Sequence, residues 1–214
     1  MTEHYRKVTS FARRHGKAST DNGKELFKEH IAKFTFNSDK IADKAILEIG
    51  FGMGDNLINL AKAYPDHTIY GAEPFVDGHI RVIRKCVEEN ITNIRLFPDD
   101  FNHLHLLGKE GVFDQVYVLF ADPWPKKRHF KRRLLNTQTI PALLNLTKAS
   151  DNTRLIIASD HPSYQEWIEE CLKELNFKYK RSETFPDYYQ PTKYHQKALR
   201  NQEKHYHPIY CYYL

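Results

Sequence analysis

Cysteine is scarce in this chain of 214 residues: only Cys86, Cys171 and Cys211 occur, far apart and odd in number. That excludes a disulfide framework and supplies no CxxC pair for a metal, so a reducing cytoplasm is the expected location. No run approaches the roughly 20 apolar residues of a membrane span. The basic N-terminus also lacks the apolar centre of a signal peptide, so a soluble protein with no membrane partner is expected. No serine or cysteine stands in a GxSxG turn, which disfavours covalent hydrolytic chemistry. His103 with His105, and His205 with His207, have the i, i+2 spacing of a strand-borne metal pair. No acid or cysteine completes either set, and no metal is expected. Internal repeats and low-complexity tracts are missing as well.

What is present fills one core: 41% of the residues are hydrophobic and 13% aromatic, enough for a single full-sized domain. The formal net charge of +5 leans towards a polyanionic partner. Residues 1–20 carry Arg6, Lys7, Arg13, Arg14 and Lys17 against Glu3 alone among acids. They are expected to form a flexible basic arm, frayed or ordered by a partner. The domain proper is placed at 21–214, opening with a covering helix from Asp21.

From Ala45 onward strand and helix patterns alternate. Strands are expected at 45–49, 68–72, 94–97, 113–120 and 154–159, and helices at 55–64, 77–89, 101–109, 137–148 and 163–175. This is the signature of an α/β, doubly wound and mostly parallel sheet. The tail breaks the rule. Two aromatic runs, 177–185 and 207–213, have no crossover helix between them and are expected to pair antiparallel at one edge. The polar stretch 186–206 that joins them is expected to be a functional loop.

The chemistry gathers where these strands should end. Strand 45–49, carrying Glu48, runs into Gly50, Gly52 and Gly54, a turn that lets backbone approach a ligand at the N-terminus of the next helix. The spacing is GxGxG rather than the GxGxxG of dinucleotide binders, which weighs against a nicotinamide cofactor. Glu73 ends the second strand, 19 residues after Gly54, where an acid can bind a ribose diol or serve the N-terminus of the following helix. Asp99 and Asp100 follow the third strand, and either could accept an adenine amine. Asp122 follows the fourth. Beyond it six Lys or Arg residues crowd into 126–133, a cationic shelf for an anion, with Trp124 expected to wedge the loop rather than stack a base.

Five stretches together, EIGFGMGD at 48–55, GAEP at 71–74, DPWPKKRHFKRR at 122–133, SDHPSY at 159–164 and TKYHQK at 192–197, resemble the bacterial tRNA (guanine-N7-)-methyltransferase family. The likeness extends from about Ser10 to the end. It implies a Rossmann-like class I fold that uses S-adenosyl-L-methionine to methylate guanine N7 at the variable-loop guanosine 46 of tRNA. By motif position Glu48, Glu73, Asp100 and Asp122 resemble the cofactor-binding acids, beside the glycines at 50, 52 and 54. Asp122 is the candidate between cofactor and target base. Lys126, Asp160, Thr192, Lys193, Tyr194 and His195 resemble the substrate-binding set, and Lys127, Arg128, Lys131, Arg132 and Arg133 are expected to contact RNA phosphates. One departure stands out: the family pattern has Glu where this chain has His195, and an imidazole cannot accept two donors as a carboxylate does. The target could therefore be another RNA guanosine. A non-catalytic tRNA-binding subunit is the third possibility, against which Glu48, Glu73 and Asp122 argue. Monomer and homodimer are both compatible with the sequence.

Overall fold

The computed structural model describes residues 21–37, 39–99, 110–150, 152, 154–202 and 209–214. The basic arm at 1–20, the helix expected at 101–109 and the candidate Asp100 lie outside these residues. Helix α1 (Asp21–Phe34) packs against α3 (Val76–Glu88) and strand β3 (Ile94–Phe97). The other described elements are β1 (Ala45–Ile49), α2 (Asp55–Ala63), β2 (Thr68–Ala72), β4 (Gln115–Leu119), a 3-10 helix (Lys127–Arg132), α4 (Thr139–Asn145), β5 (Leu155–Ser159), α5 (Pro162–Glu174), β6 (Lys180–Ser182), α6 (Lys193–Gln202) and β7 (Tyr210–Tyr213).

The seven strands form one sheet in the order β3-β2-β1-β4-β5-β7-β6. The first five are mutually parallel, and β7 inserts antiparallel between β5 and β6. Every residue of β1 is buried, as expected of a central strand covered on both faces. Side-chain alternation divides them. Ala45, Leu47 and Ile49 join the layer of Ile140, Leu143, Ile168 and Leu172. Ile46 joins the layer of Leu57, Leu60, Val82 and Ile83 on the opposite face, and Glu48 shares that face.

Strand order reverses between β1 and β4, so the crevice for a ligand lies outside their carboxyl ends. The edge strand β3 is covered where Phe36 N–H donates to Leu96 O at 2.9 Å. The stretch expected as a loop at 186–206 instead contains α6. Thr192 caps it: its Oγ1 accepts from His195 N–H at 3.2 Å, and its carbonyl accepts from Gln196 N–H at 2.8 Å. Residues with good helix propensity follow the cap, so a polar composition did not mean an irregular backbone. Helix α4 is shorter than the expected 137–148. Asn136 Oδ1 accepts from Gln138 and Thr139 N–H at its start, and Pro141 falls in its first turn, where no donor is needed.

Candidate active site

The turn after β1 is laid directly on α3. Gly54 has φ 79°, and a Cβ there would sit 2.1 Å from Val82 Cγ2, so conformation and packing both demand glycine. Gly78 on α3 meets the same turn from the other side, where a Cβ would lie 1.9 Å from Gly52 O. Gly50 faces open space, leaving the front of the turn free for a ligand to approach. Glu73, at the end of β2, ties the turn to α3: its Oε2 accepts from Gly52 N–H and its Oε1 from Phe75 N–H, both at 2.9 Å. Each oxygen keeps a further lone pair. His79 Nε2 lies 2.6 Å from the Glu73 carbonyl.

Glu48 stands beneath this turn, 3% exposed. Among the described residues its Oε2 has no hydrogen-bond partner. Burial pushes its carboxyl up to about 8, the amide of Asn56 opposing and the charges of Glu73 and Asp55 adding. Glu73 is raised in the same direction by burial, against the two backbone donors and with Asp122 adding. Asp122 itself reaches solvent, its carboxyl raised by the protein that walls its inner side. Asp99, the alternative to Asp100, follows the end of β3 on the same rim.

Asp122 sits in a turn bounded by two non-glycine residues in the left-handed region, Phe120 at φ 54° and Trp124 at φ 41°. Each costs about 1–2 kcal/mol, so surrounding contacts must hold them. Trp124 packs edge-on against His129 at 5.8 Å and lies under the Arg132 guanidinium at 4.9 Å. Lys126, Lys127, Arg128 and Lys131 are exposed along and before the 3-10 helix, so these cations can meet phosphates. Arg133 cannot: expected at the RNA, it is instead 0% exposed. Its Nε donates to Pro123 O at 2.8 Å, and its terminal nitrogens donate to Ser163 O and Ser163 Oγ at 3.1 Å. A guanidinium, with five donors in a planar fork, can be satisfied by carbonyls and aromatic faces where an ammonium could not.

Asp160 leaves β5 on the same side, close enough for its charge to act on His195. Thr192 and His195 meet at the cap of α6, and Lys193 and Tyr194 open that helix. His195 is buried among aromatic rings: Phe185 at 4.5 Å, Phe120 at 5.4 Å, and Tyr189, whose Oη is 3.1 Å from Nδ1. Burial lowers its pKa, Asp160 opposing, so the ring is neutral at neutral pH. Phe120, Phe185 and Tyr189 were not among the expected site residues, although an aromatic cluster around the divergent His195 could have been sought in the Tyr-rich stretch. Tyr188 was not expected there either. It reaches back to hydrogen-bond Tyr117 Oη on β4 and packs edge-on against Tyr64 at 5.4 Å, in the layer that holds Glu48.

Known proteins share sequence and fold with this chain. A family model described as "Putative methyltransferase" matches residues 42–208. A bifunctional methyltransferase of Rickettsia felis is 37% identical over 89% of this chain, and the chain spans only 37% of that protein's length. A tRNA (guanine-N(7)-)-methyltransferase of Wolbachia pipientis wMel is 36% identical, over 83% of this chain and 77% of its own length. Among solved structures, an antibiotic-related methyltransferase superposes with a TM-score of 0.56 at 14% identity, covering 92% of this chain and 95% of its own. That likeness extends to the fold alone. By sequence over most of its length, this chain belongs to the tRNA (guanine-N7-)-methyltransferase family.

Proposed function

We propose that the protein transfers a methyl group from S-adenosyl-L-methionine to N7 of a guanine in tRNA, the variable-loop guanosine 46, in the cytoplasm. The observation that carries this reading is the setting of Asp122. It follows β4 beside the switch point, its charge acts on Glu73 next to the glycine turn, and exposed lysines and Arg128 follow it in the chain.

The residues present fit the donor. Among the described residues a buried oxygen of Glu48 has no partner, which calls for a hydrogen-bond donor or a cation, and the turn at Gly50 is open. Glu48, Glu73, Asp122, the glycine turn and Asp100, or Asp99 in its place, would hold the molecule. Glu73 offers its remaining lone pairs to a ribose diol. When bound, S-adenosyl-L-methionine supplies an electrophilic methyl group on a sulfonium.

Guanine N7 bears a lone pair and no proton, so no residue need act as a base, and in-line placement dominates. The ring gains positive charge as the bond forms, and the solvent-reaching carboxylate of Asp122 stabilises that charge. Asp160 accepts from the N1 and N2 donors of guanine, which adenine lacks. His195, uncharged, presents Nε2 as its remaining polar atom and takes less part in that recognition than a carboxylate could. Lys126, Lys127, Arg128, Lys131 and Arg132 hold phosphates. Labelled donor incubated with tRNA lacking N7-methylguanosine, followed by borohydride reduction and aniline cleavage, tests this. Cleavage at guanosine 46 supports the reading, cleavage elsewhere removes the position, and no transfer to any RNA removes the activity.

A further inference from the structure

Arg133 joins the two chain segments that follow the strand-end acids Asp122 and Asp160. Its Nε holds Pro123 O, one residue beyond Asp122, and its other nitrogens hold Ser163, three residues beyond Asp160. The guanidinium carbon lies 3.7 Å from the Phe130 ring centroid, 5.1 Å from Tyr164 and 5.4 Å from Trp167, so it is stacked as well as bonded. The neighbouring backbone is stitched to the same helix: Leu135 N–H donates to Tyr164 Oη at 3.0 Å, and Trp167 Nε1 donates to Leu135 O at 2.8 Å. Among the described residues the buried charge is met by these oxygens and rings rather than by a carboxylate. Burying a charge this way is expensive. The return is geometric, because the turn between Phe120 and Trp124 is strained and persists only when its surroundings over-determine it.

We infer that Arg133 is a positioning residue that fixes the Asp122 turn at the end of β4 to the start of α5, and so sets the spacing of Asp122 and Asp160 across the target base. The inference rests on the function proposed above. A lysine keeps the charge but supplies neither the planar fork nor the stack, so it cannot hold Pro123 O and both Ser163 oxygens together. Misplacement of reacting groups by about 1 Å costs on the order of 100-fold in rate.

The test compares Arg133→Lys, Arg133→Gln and Ser163→Ala with the wild type and with Lys127→Gln. For each, kcat and KM for tRNA, calorimetric affinity for S-adenosyl-L-methionine, and the salt dependence of tRNA binding are measured. Arg133→Lys should lower kcat roughly 10- to 100-fold and Ser163→Ala less, with donor affinity nearly unchanged. The slope of log affinity against log salt should stay at the wild-type value in Arg133→Gln and fall by about 0.7–0.9 in Lys127→Gln. Unchanged kcat in Arg133→Lys, or a slope loss in Arg133→Gln matching that of Lys127→Gln, overturns the inference. If the Arg133 variants do not fold, Ser163→Ala decides, and wild-type kcat in it overturns the inference too. A wild type that transfers no methyl group to tRNA overturns the functional reading, and with it this one. An active wild type whose Arg133→Lys and Ser163→Ala variants keep the wild-type kcat overturns this one alone.

Discussion

Glu48 should make the ligand-free protein less stable than it need be, and replacing it should show this. The carboxyl is 3% exposed, one of its oxygens has no partner among the described residues, and burial raises it from its ordinary 4.5 to about 8. The unfolded chain therefore ionises it at a pH where the folded chain holds it protonated. The folded value is raised, so the penalty is absent below about pH 4.5, grows as pH rises, and levels off above about 8. For that shift, linkage gives at most about 3 kcal/mol at pH 7 and about 1 kcal/mol at pH 5. Glu48→Gln replaces a neutral buried acid with a neutral buried amide and removes the penalty. Relaxation around the site trims the gain, and a Tm rise of about 3–8 °C at pH 7 is expected from 2–4 °C per kcal/mol, shrinking towards zero at pH 5. Saturating S-adenosyl-L-methionine should reverse the ranking. Donor at about 100 times its Kd stabilises the wild type by about 2.7 kcal/mol, while the variant gains little because the oxygen that needs a partner is gone. Differential scanning fluorimetry at the two pH values, with and without donor, reads all four Tm values. A Tm difference that does not grow from pH 5 to pH 7, or a variant stabilised by the donor as fully as the wild type, refutes the reasoning.

Asp122→Asn keeps the shape of the turn and removes the charge, so single-turnover methyl transfer should fall on the order of 100-fold while the fold, read by Tm, is kept. Gly54→Ala forces a left-handed alanine with its Cβ on Val82 Cγ2 and should cost about 2–4 kcal/mol in chemical denaturation, with loss of donor binding in calorimetry. His195→Glu should leave donor affinity nearly unchanged and alter kcat/KM for tRNA, since the residue lies among Phe120, Phe185 and Tyr189 with Asp160 nearby. A large loss of donor binding in calorimetry would remove His195 from the substrate side.

Where local pattern and local chemistry suffice, the sequence was legible. The strand at 45–49 was read with the bounds of β1, because an apolar run bounded by a glycine turn admits little else, and β2 and β3 also fall as read. The acids Glu48, Glu73, Asp122 and Asp160 could be placed at strand ends because period and topology assign them there. Helix α6 was missed although its signals, a Thr cap and good helix formers, were present in a stretch judged by polarity. Arg133 was misread for the opposite reason. In sequence it is the last of a run of cations. A faint signal lay in Leu134 and Leu135 just after it, yet only partners far along the chain, Ser163, Tyr164 and Trp167, turn it inward.

The sequence by itself determined the parallel α/β sheet, its antiparallel edge, the glycine turn and the family, since each rests on residues close together along the chain. Tertiary structure alone decided which cations face solvent, why burial pushes the carboxyl of Glu48 up to about 8, and how His195 is enclosed by aromatic rings. The physical reason is that charge state and orientation depend on burial and on partners tens of residues away, which periodicity along the chain does not carry.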